Sequence, residues 1–288
     1  MRTDLHLHSW VSDGLLSPDE TVRHAKAMGV ELMALTDHDT MGGLADAERE
    51  AKRLGIKFVP GVEMTVGARG EEIHILGYLF ERGDTSLEAI CRETRGRLRE
   101  RLAAMIERLR ERHRFETSLE EVLGPVAHSD FPDRPHLARL MVEQGFVGTF
   151  EEAFARHLGQ EGDCYLPLVG VEPAQAIGAI RSAGGIAVLA HPRYFNMPEG
   201  GTVETIRPLV DMGLGGIEVY HSRHSEEEIA RFTAIAEHFD LVVTGGTDCH
   251  GVRLEGDHFA IENRCVPDGV GEAFLERCAD LRGARALT

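Results

Sequence analysis

Nine side chains of the kinds that hold divalent cations fall in short, separated groups along this chain. The segment DLHLHSWVSDG, residues 4–14, carries His6 and His8 one residue apart and Asp13 five further on. TDHD supplies His38 between Asp37 and Asp39, GVE supplies Glu63, EIHILGY supplies His74, AHP supplies His191, and GTDCH supplies Asp248 and His250. The His-x-His triplet alone is weak evidence, because with 15 histidines in 288 residues roughly one arises by chance. Its company strengthens it. On a strand, residues i and i+2 point to one side, so HLH presents two imidazoles together while Leu5 and Leu7 face the other layer. Asp248 and His250 repeat the geometry, with Cys249 turned away as a core thiol. Imidazole with carboxylate suits Mn, Fe or Zn, whereas thiolate-rich structural zinc needs cysteine pairs that are absent here. Nine ligands exceed the needs of one ion. Two or three divalent ions are expected, manganese first, with Glu63 or an aspartate bridging. Asp37 reads as a residue that orients a neighbour.

These residues need a frame that brings them together. Seven apolar runs read as strands: DLHLHS, ELMALTD, KFVPGVE, EIHILGYL, GIAVLAHP, GGIEVYH and LVVTGGTD. Helical segments lie between several of them, with Ser17 as an N-cap, and with Gly29, Gly55 and Gly184 as stops. Strands alternating with helices imply an α/β fold with a mainly parallel sheet. His6 and His8, Asp37 and His38, Glu63, His191, His221, and Asp248 with His250 sit at or just past the ends of six different runs, while His74 lies in mid-strand. In a closed barrel such ends converge on one mouth, and in an open sheet they spread along an edge, so an irregular barrel is expected. The alternation breaks from residue 84 to 171, where Leu87, Ile90, Leu98, Leu102, Met105, Ile106 and Leu109 recur at near-helical spacing. This reads as a helical cap over the mouth, inserted between barrel segments 1–83 and 172–288.

The formal charge of −17 argues against a broad grip on duplex DNA. The first 30 residues lack the apolar stretch of a signal peptide, no run reaches membrane-spanning length, and the five cysteines form no CxxC pair. A cytoplasmic protein that engages neither membrane nor duplex DNA is expected, and no obligate protein partner is inferred.

HLHS, the following SDG, TDHD, GVE, a fourth-strand histidine, AHP and GTDCH, in that order at successive strand ends, resemble the motifs of the PHP family of polymerase and histidinol phosphatase phosphoesterases. The resemblance spans most of the chain outside the insertion. It implies a distorted seven-stranded (β/α) TIM-like barrel, the PHP fold, with a metal centre at the C-terminal mouth. It also implies a ligand grouping: His6, His8, Glu63 and Asp248 on one ion, Glu63, His74 and His191 on a second, and Asp13, His38 and His250 on a third. Within the family the chain is most similar to bacterial nucleoside 3',5'-bisphosphate phosphatases, a group whose relatives also trim RNA from its 5' end. The insertion, RPHLAR at 134–139 and IEVYHSRHS at 217–225 carry this closer likeness. Histidinol-phosphate phosphatases are the alternative within the family. A non-catalytic metal-binding module is the alternative of another class, and it is disfavoured because no ligand position is degenerate.

The activity implied is phosphomonoester hydrolysis by a metal-bridging hydroxide, with cations around the phosphoryl oxygens, release of the 3'-phosphate favoured, and His191 among the catalytic groups. Arg134, His136 and Arg193 are the candidate phosphate clamps, His224 a candidate for a second phosphate, and Tyr194 and Phe195 candidate base-stacking partners. Nine arginines and four glutamates between Arg92 and Arg114 read as a solvated helix face with i,i+4 pairs such as Glu93 and Arg97, or as a rail for an RNA 5' end. His113 and His157 read as ordinary surface or core histidines. The partner expected is a small phosphorylated nucleotide or a short RNA 5' end.

Overall fold

In a computed structural model, described for residues 1–68, 71–124, 129, 131–194, 202–251 and 264–285, seven strands form one sheet in chain order. They are β1 (Thr3–Asp4), β2 (Leu32–Leu35), β3 (Lys57–Ala68), β4 (Glu71–Tyr78), β5 (Ile186–Leu189), β6 (Gly216–His221) and β7 (Val242–Gly246). Between and after them run α1 (Pro18–Ala27), α2 (Leu44–Leu54), α3 (Thr85–His113), α4 (Leu119–Leu123), α5 (Arg134–Glu143), α6 (Phe150–Ala153), α7 (Pro173–Ser182), α8 (Val203–Asp211), α9 (Glu226–Phe239) and α10 (Val270–Arg285). Ser17 caps α1 through a reciprocal box with Glu20. Gly29, Gly55 and Gly184 take left-handed φ of 79°, 69° and 79° just past their helices, where a side chain would be strained.

The pairings β1–β2, β2–β3, β5–β6 and β6–β7 are parallel, whereas β4 runs antiparallel to both its neighbours. The cause is the connection. β3 ends at Ala68 and β4 begins at Glu71, and so short a link permits only a hairpin, with no room for the crossover a parallel pair needs.

The barrel closes between the first and last strands. Leu5 donates its N–H to Gly245 O at 3.1 Å, Asp248 to His6 O at 2.9 Å, and His8 to Cys249 O at 2.9 Å. Asp4 holds the seam, its carboxylate accepting from Thr247 N (3.0 Å), Thr247 Oγ1 (2.7 Å) and His6 N (3.2 Å). That last bond ends the regular strand at Asp4, and the sequence-based pairing of Leu5 with Leu7 fails there. Leu5 joins the barrel interior while Leu7 joins the outer layer. Cys249, beside Leu7, lies in the outer layer as expected. Tyr78 spans the interior from β4 to donate to Leu5 O at 2.7 Å, and Phe274 of α10 packs edge-on against it. The seam also sets a steric limit. A Cβ on Gly246 would lie 2.3 Å from His6 Cβ and 2.5 Å from His6 N, so Gly246→Ala is expected to cost at least about 2 kcal/mol, read as a lowered urea midpoint with unchanged slope.

Leu87 and Cys91, on the first turns of α3, belong to the outer barrel layer. Beyond Leu98 the same helix packs a separate apolar cluster, with Leu102, Met105 and Leu109 against Leu137, Met141 and Leu158. We therefore propose the cap as a subdomain with its own core, rooted in the barrel by its first helix. No helix among the described residues is long and apolar enough to cross a membrane.

Candidate metal centre

The mouth is assembled from strand ends and one braced loop. Asp37, just past β2, accepts from Ser9 N, Ser9 Oγ and Ser12 Oγ, each at 2.7 Å. Ser12 and Gly14 donate to Ser9 O at 3.1 and 2.9 Å. This wraps SWVSDG under Asp37 and directs Asp13 into the barrel. Two of the candidate ligands occupy left-handed backbone, Asp248 at φ 60° and His191 at φ 23°. Strain of this kind costs on the order of 1–3 kcal/mol and persists where the surroundings impose it. Here Asp248 N–H is held by His6 O and His191 N–H by Glu218 Oε2 at 2.7 Å.

All nine candidate ligands converge on this mouth, with Glu63 of β3 at the centre. Its Oε1 lies 2.8 Å from His74 Nδ1 and 2.9 Å from His191 Nε2, and its Oε2 lies 3.0 Å from His6 Nε2, 3.1 Å from His8 Nε2 and 3.5 Å from His38 Nδ1. Asp248 Oδ1 is 3.1 Å from His8 Nε2 and 3.4 Å from His6 Nε2. Asp13 Oδ1 is 3.2 Å from His250 Nε2. Ligand atoms of His6, His8, Glu63 and Asp248 lie within 4.8 Å of one another, as do those of His8, Asp13, His38 and His250, and those of His38, Glu63 and His74. His8 and His38 are therefore each shared between two neighbouring groups. His221, at the end of β6, reaches the same centre, 3.5 Å from Asp248 Oδ2.

The donor set fits cations. His8 Nε2 lies between two carboxylates yet makes no directed hydrogen bond to either, and His38 Nδ1 likewise has none among the described residues. Their rings stack face to face, His8 on His250 at 4.2 Å and on His38 at 4.6 Å. Protonated imidazoles so stacked repel, while neutral ones leave lone pairs converging on carboxylates, an arrangement that a shared cation satisfies. Burial, helped by His8 and His74, drives the His38 imidazole down to about 3 against the pull of Glu63 and Asp13. Against burial, the neighbouring carboxylates raise His8 and His74 to about 10, so a cation that binds there displaces their protons. Burial would raise the Glu63, Asp13 and Asp248 carboxyls, but the surrounding histidines hold all three well below the carboxylate range.

Glu218 of β6 escaped the sequence reading. It is fully buried, its Oε1 lies 2.9 Å from His6 Nδ1, and its Oε2 accepts the His191 N–H. A signal existed: GGIEVYH carries a single acid inside an apolar strand, and a buried charge needs partners. With His6 Nε2 aimed at Glu63 and Asp248, Nδ1 is left to carry the proton that Glu218 accepts. Glu218→Gln keeps the shape but offers one acceptor to two donors. It should weaken metal binding about 10- to 100-fold, measured by titration of the stripped protein. Glu72 was also missed. It joins His74 Nε2 (3.6 Å) to Arg101 (2.5 Å) and Arg134 (2.6 Å), linking the cap to the mouth.

The expected phosphate-binding residues divide by position. Arg134 opens α5 beside the mouth, bound to Glu72 and lying over the Phe154 and Tyr165 rings. His136 is buried with Nδ1 3.4 Å from Arg139, which itself donates to Asp13 O, and burial holds its imidazole below the usual range. Phe131 stacks on His38 at 4.6 Å, placing the cap directly over the cluster. Arg193 turns outward to Arg223 O and Glu228, both at 2.8 Å. His224 donates from Nδ1 to Val219 O at 2.8 Å and packs against His221 and Phe232, where burial lowers it to about 4. The Tyr194 side chain and Phe195 lie outside the described residues. A cavity beside the cluster is lined by Glu72, His74, Leu189, Ala190, His191 and Asp248.

A near-closed barrel whose mouth gathers histidines and carboxylates under a helical cap defines a metal-dependent phosphoester hydrolase. The chain belongs to the PHP family: the PHP domain matches residues 4–141, and curated relatives match across most of its length. A 5'-3' exoribonuclease of Haemophilus influenzae is 35% identical over 86% of this chain and 89% of that one. A phosphoribosyl 1,2-cyclic phosphate 1,2-diphosphodiesterase of Eggerthella lenta is 33% identical over 87% and 95%. A 3',5'-nucleoside bisphosphate phosphatase of Chromobacterium violaceum is 33% identical over 86% of each chain. Among solved structures, a candidate metal-dependent phosphoesterase of Bifidobacterium adolescentis superposes with a TM-score of 0.85 at 28% identity over 96% of both chains. This chain is a PHP-family metal-dependent phosphoesterase.

Proposed function

We propose that the chain hydrolyses nucleoside 3',5'-bisphosphates, releasing the 3'-phosphate, with manganese as its metal and the cytoplasm as its location. In this reading His6, His8, Glu63 and Asp248 hold one ion, Glu63, His74 and His191 a second, and Asp13, His38 and His250 a third. The observation that carries the reading is the seat of α5 over the cluster. Arg134 is joined to His74 through Glu72, and Arg139 and His136 stand beside Asp13. Cations at the floor and guanidinium groups on the cap suit a substrate with one phosphate at the reacting centre and another to anchor it. Bound divalent ions supply charge stabilisation and water activation at neutral pH. The chain's own residues do the rest. Arg134 exchanges Glu72 for phosphate oxygens, the cap excludes bulk water, and Glu218 and Asp37 keep His6 and the Asp13 loop in place. Arg193 and His224 remain the candidates for the outer phosphate.

The basic helix α3 supports a small substrate over a polymer. Arg95, Arg97, Arg101, Arg108 and Arg110 are bonded to carbonyls and carboxylates of this chain, which leaves less of the helix to track RNA. The name of the Haemophilus relative keeps 5'-phosphorylated RNA as a second reading. The test compares hydrolysis by manganese-loaded protein of four substrates: adenosine 3',5'-bisphosphate and histidinol phosphate, read as released phosphate; a short 5'-phosphorylated RNA, read as released mononucleotide; and a ribose 1,2-cyclic phosphate, read as the ring-opened monoester. The bisphosphate should react fastest and yield the 5'-monophosphate. A faster reaction with any of the other three would replace the reading.

A further inference from the structure

A second group of ligand-type side chains lies in the cap, remote in sequence from every motif at the mouth. His113 is the last residue of α3, His157 sits in the π-helical turn Phe154–Leu158, and Asp163 and Cys164 follow the short loop after it. His113 Nε2 is 2.7 Å from Asp163 Oδ2, and His157 Nδ1 is 2.8 Å from Asp163 Oδ1. One donor atom from each of the four residues lies within 4.8 Å of all the others. A tetrahedral zinc with bonds of about 2.0–2.3 Å has ligand-to-ligand edges of about 3.3–3.8 Å, so closing on one ion would lengthen the two hydrogen-bonded contacts to Asp163 slightly and draw in any edge near the 4.8 Å limit.

The backbone is shaped for this meeting. A π turn inserts one extra residue into a helix and recurs at functional sites, and here it is the turn that carries His157. The loop then folds back on that turn, with Asp163 N–H donating to Arg156 O and Cys164 N–H to His157 O, both at 3.1 Å. A Cβ on Gly162 would lie 2.4 Å from the His157 carbonyl carbon, so only glycine lets the loop lie so close. An ion-paired aspartate between two histidines would account for three of the four groups. Cys164 also packs in the cap's apolar cluster with its thiol on Asp163, but His157 Nε2 is buried with no hydrogen-bond partner among the described residues, and four ligand-type side chains still converge.

We propose that His113, His157, Asp163 and Cys164 form a structural metal site for a zinc-class divalent ion, distinct from the centre at the mouth. Two neutral imidazoles, a thiolate and a carboxylate make a closed, borderline-soft set whose two negative charges balance the ion. Binding exchanges the Cys164 S–H proton for a metal–sulfur bond and releases that proton to solvent, with no change of oxidation state. Asp163 and His113 are partly exposed, at 41% and 27%, and give the ion a way in, while His157 and Cys164 are buried. The ion would tie the far end of α3 to the π turn behind α6 and so stiffen the cap. The site stands independently of the substrate read for the mouth.

Cobalt substitution separates the two centres, because the mouth cluster offers only nitrogen and oxygen. Full-length protein, stripped with chelator and titrated with cobalt(II), should develop a near-ultraviolet thiolate-to-cobalt absorption that saturates at one ion per chain. Cys164→Ser should abolish that band and lower zinc content by one ion, while keeping phosphate release within about twofold. His113→Asn, at the partly exposed edge, should need at least tenfold more cobalt for half-saturation, which keeps the test open if the serine variant does not fold. No thiolate band in the unmodified protein, a band that survives in Cys164→Ser, or unchanged cobalt affinity in His113→Asn would overturn the assignment.

Discussion

Replacing Glu63 by glutamine should reduce phosphate release by at least about 10³-fold, equivalent to about 4 kcal/mol of barrier, and should remove more than one ion per chain. Among the described residues, no other carboxylate at the mouth stands so close to so many imidazoles. The two carboxylate oxygens stand within 3.1 Å of His6, His8, His74 and His191. An amide keeps the volume but presents an N–H₂ where one oxygen faced lone pairs, so at least one pair of imidazoles loses its common counter-charge. Elemental analysis and initial rates on the same preparation read both effects. Wild-type turnover in Glu63→Gln would remove the residue from the centre.

Arg101→Met should produce the largest loss of stability of any single change in the cap. Arg101 is 6% exposed and forks between Asp133 Oδ1 at 2.6 Å and Glu72 Oε2 at 2.5 Å. Removing it leaves the buried Asp133 without its direct cation and the half-buried Glu72 with one arginine, Arg134, instead of two, which costs about 3–5 kcal/mol and lowers the melting temperature by on the order of 10 °C. Glu93→Ala, on the same helix, exposed and paired with Arg97 at its surface, should change stability by less than about 0.5 kcal/mol. The contrast isolates burial from charge. Catalysis should fall with Arg101→Met as well, because Glu72 also holds Arg134 and approaches His74. Equal melting temperatures for the two variants would show that the buried network does not brace the cap.

The convergence of the candidate ligands was legible because residue type and position along the strands carry it. His6, His8, Asp13, His38, Glu63, His74, His191, Asp248 and His250 all meet at the mouth. Asp37, read as a residue that orients a neighbour, accepts hydrogen bonds from Ser9 and Ser12 in the loop that carries Asp13. What escaped depended on three-dimensional context. The reversal of β4 follows from a connection too short for a crossover, and alternation of apolar runs carries no direction. Leu5 and Leu7 part because Asp4 takes the His6 N–H, a local break that period-two reasoning assumes away. Glu218 was hidden by its neighbours, since a lone acid in an apolar strand is informative only when its burial is weighed. His113, His157, Asp163 and Cys164 are spread over 52 residues, with no spacing to draw them together before the π turn is seen.

The most direct measurement is inorganic phosphate released from adenosine 3',5'-bisphosphate by one preparation assayed as purified, after complete metal removal, and after manganese is restored. If the histidine and carboxylate cluster performs the hydrolysis, release falls to background on stripping and returns on restoration, in step with the ions bound per chain. Undiminished release from fully stripped protein, or none from protein reloaded to two or more ions, would contradict a metal-dependent bisphosphate phosphatase.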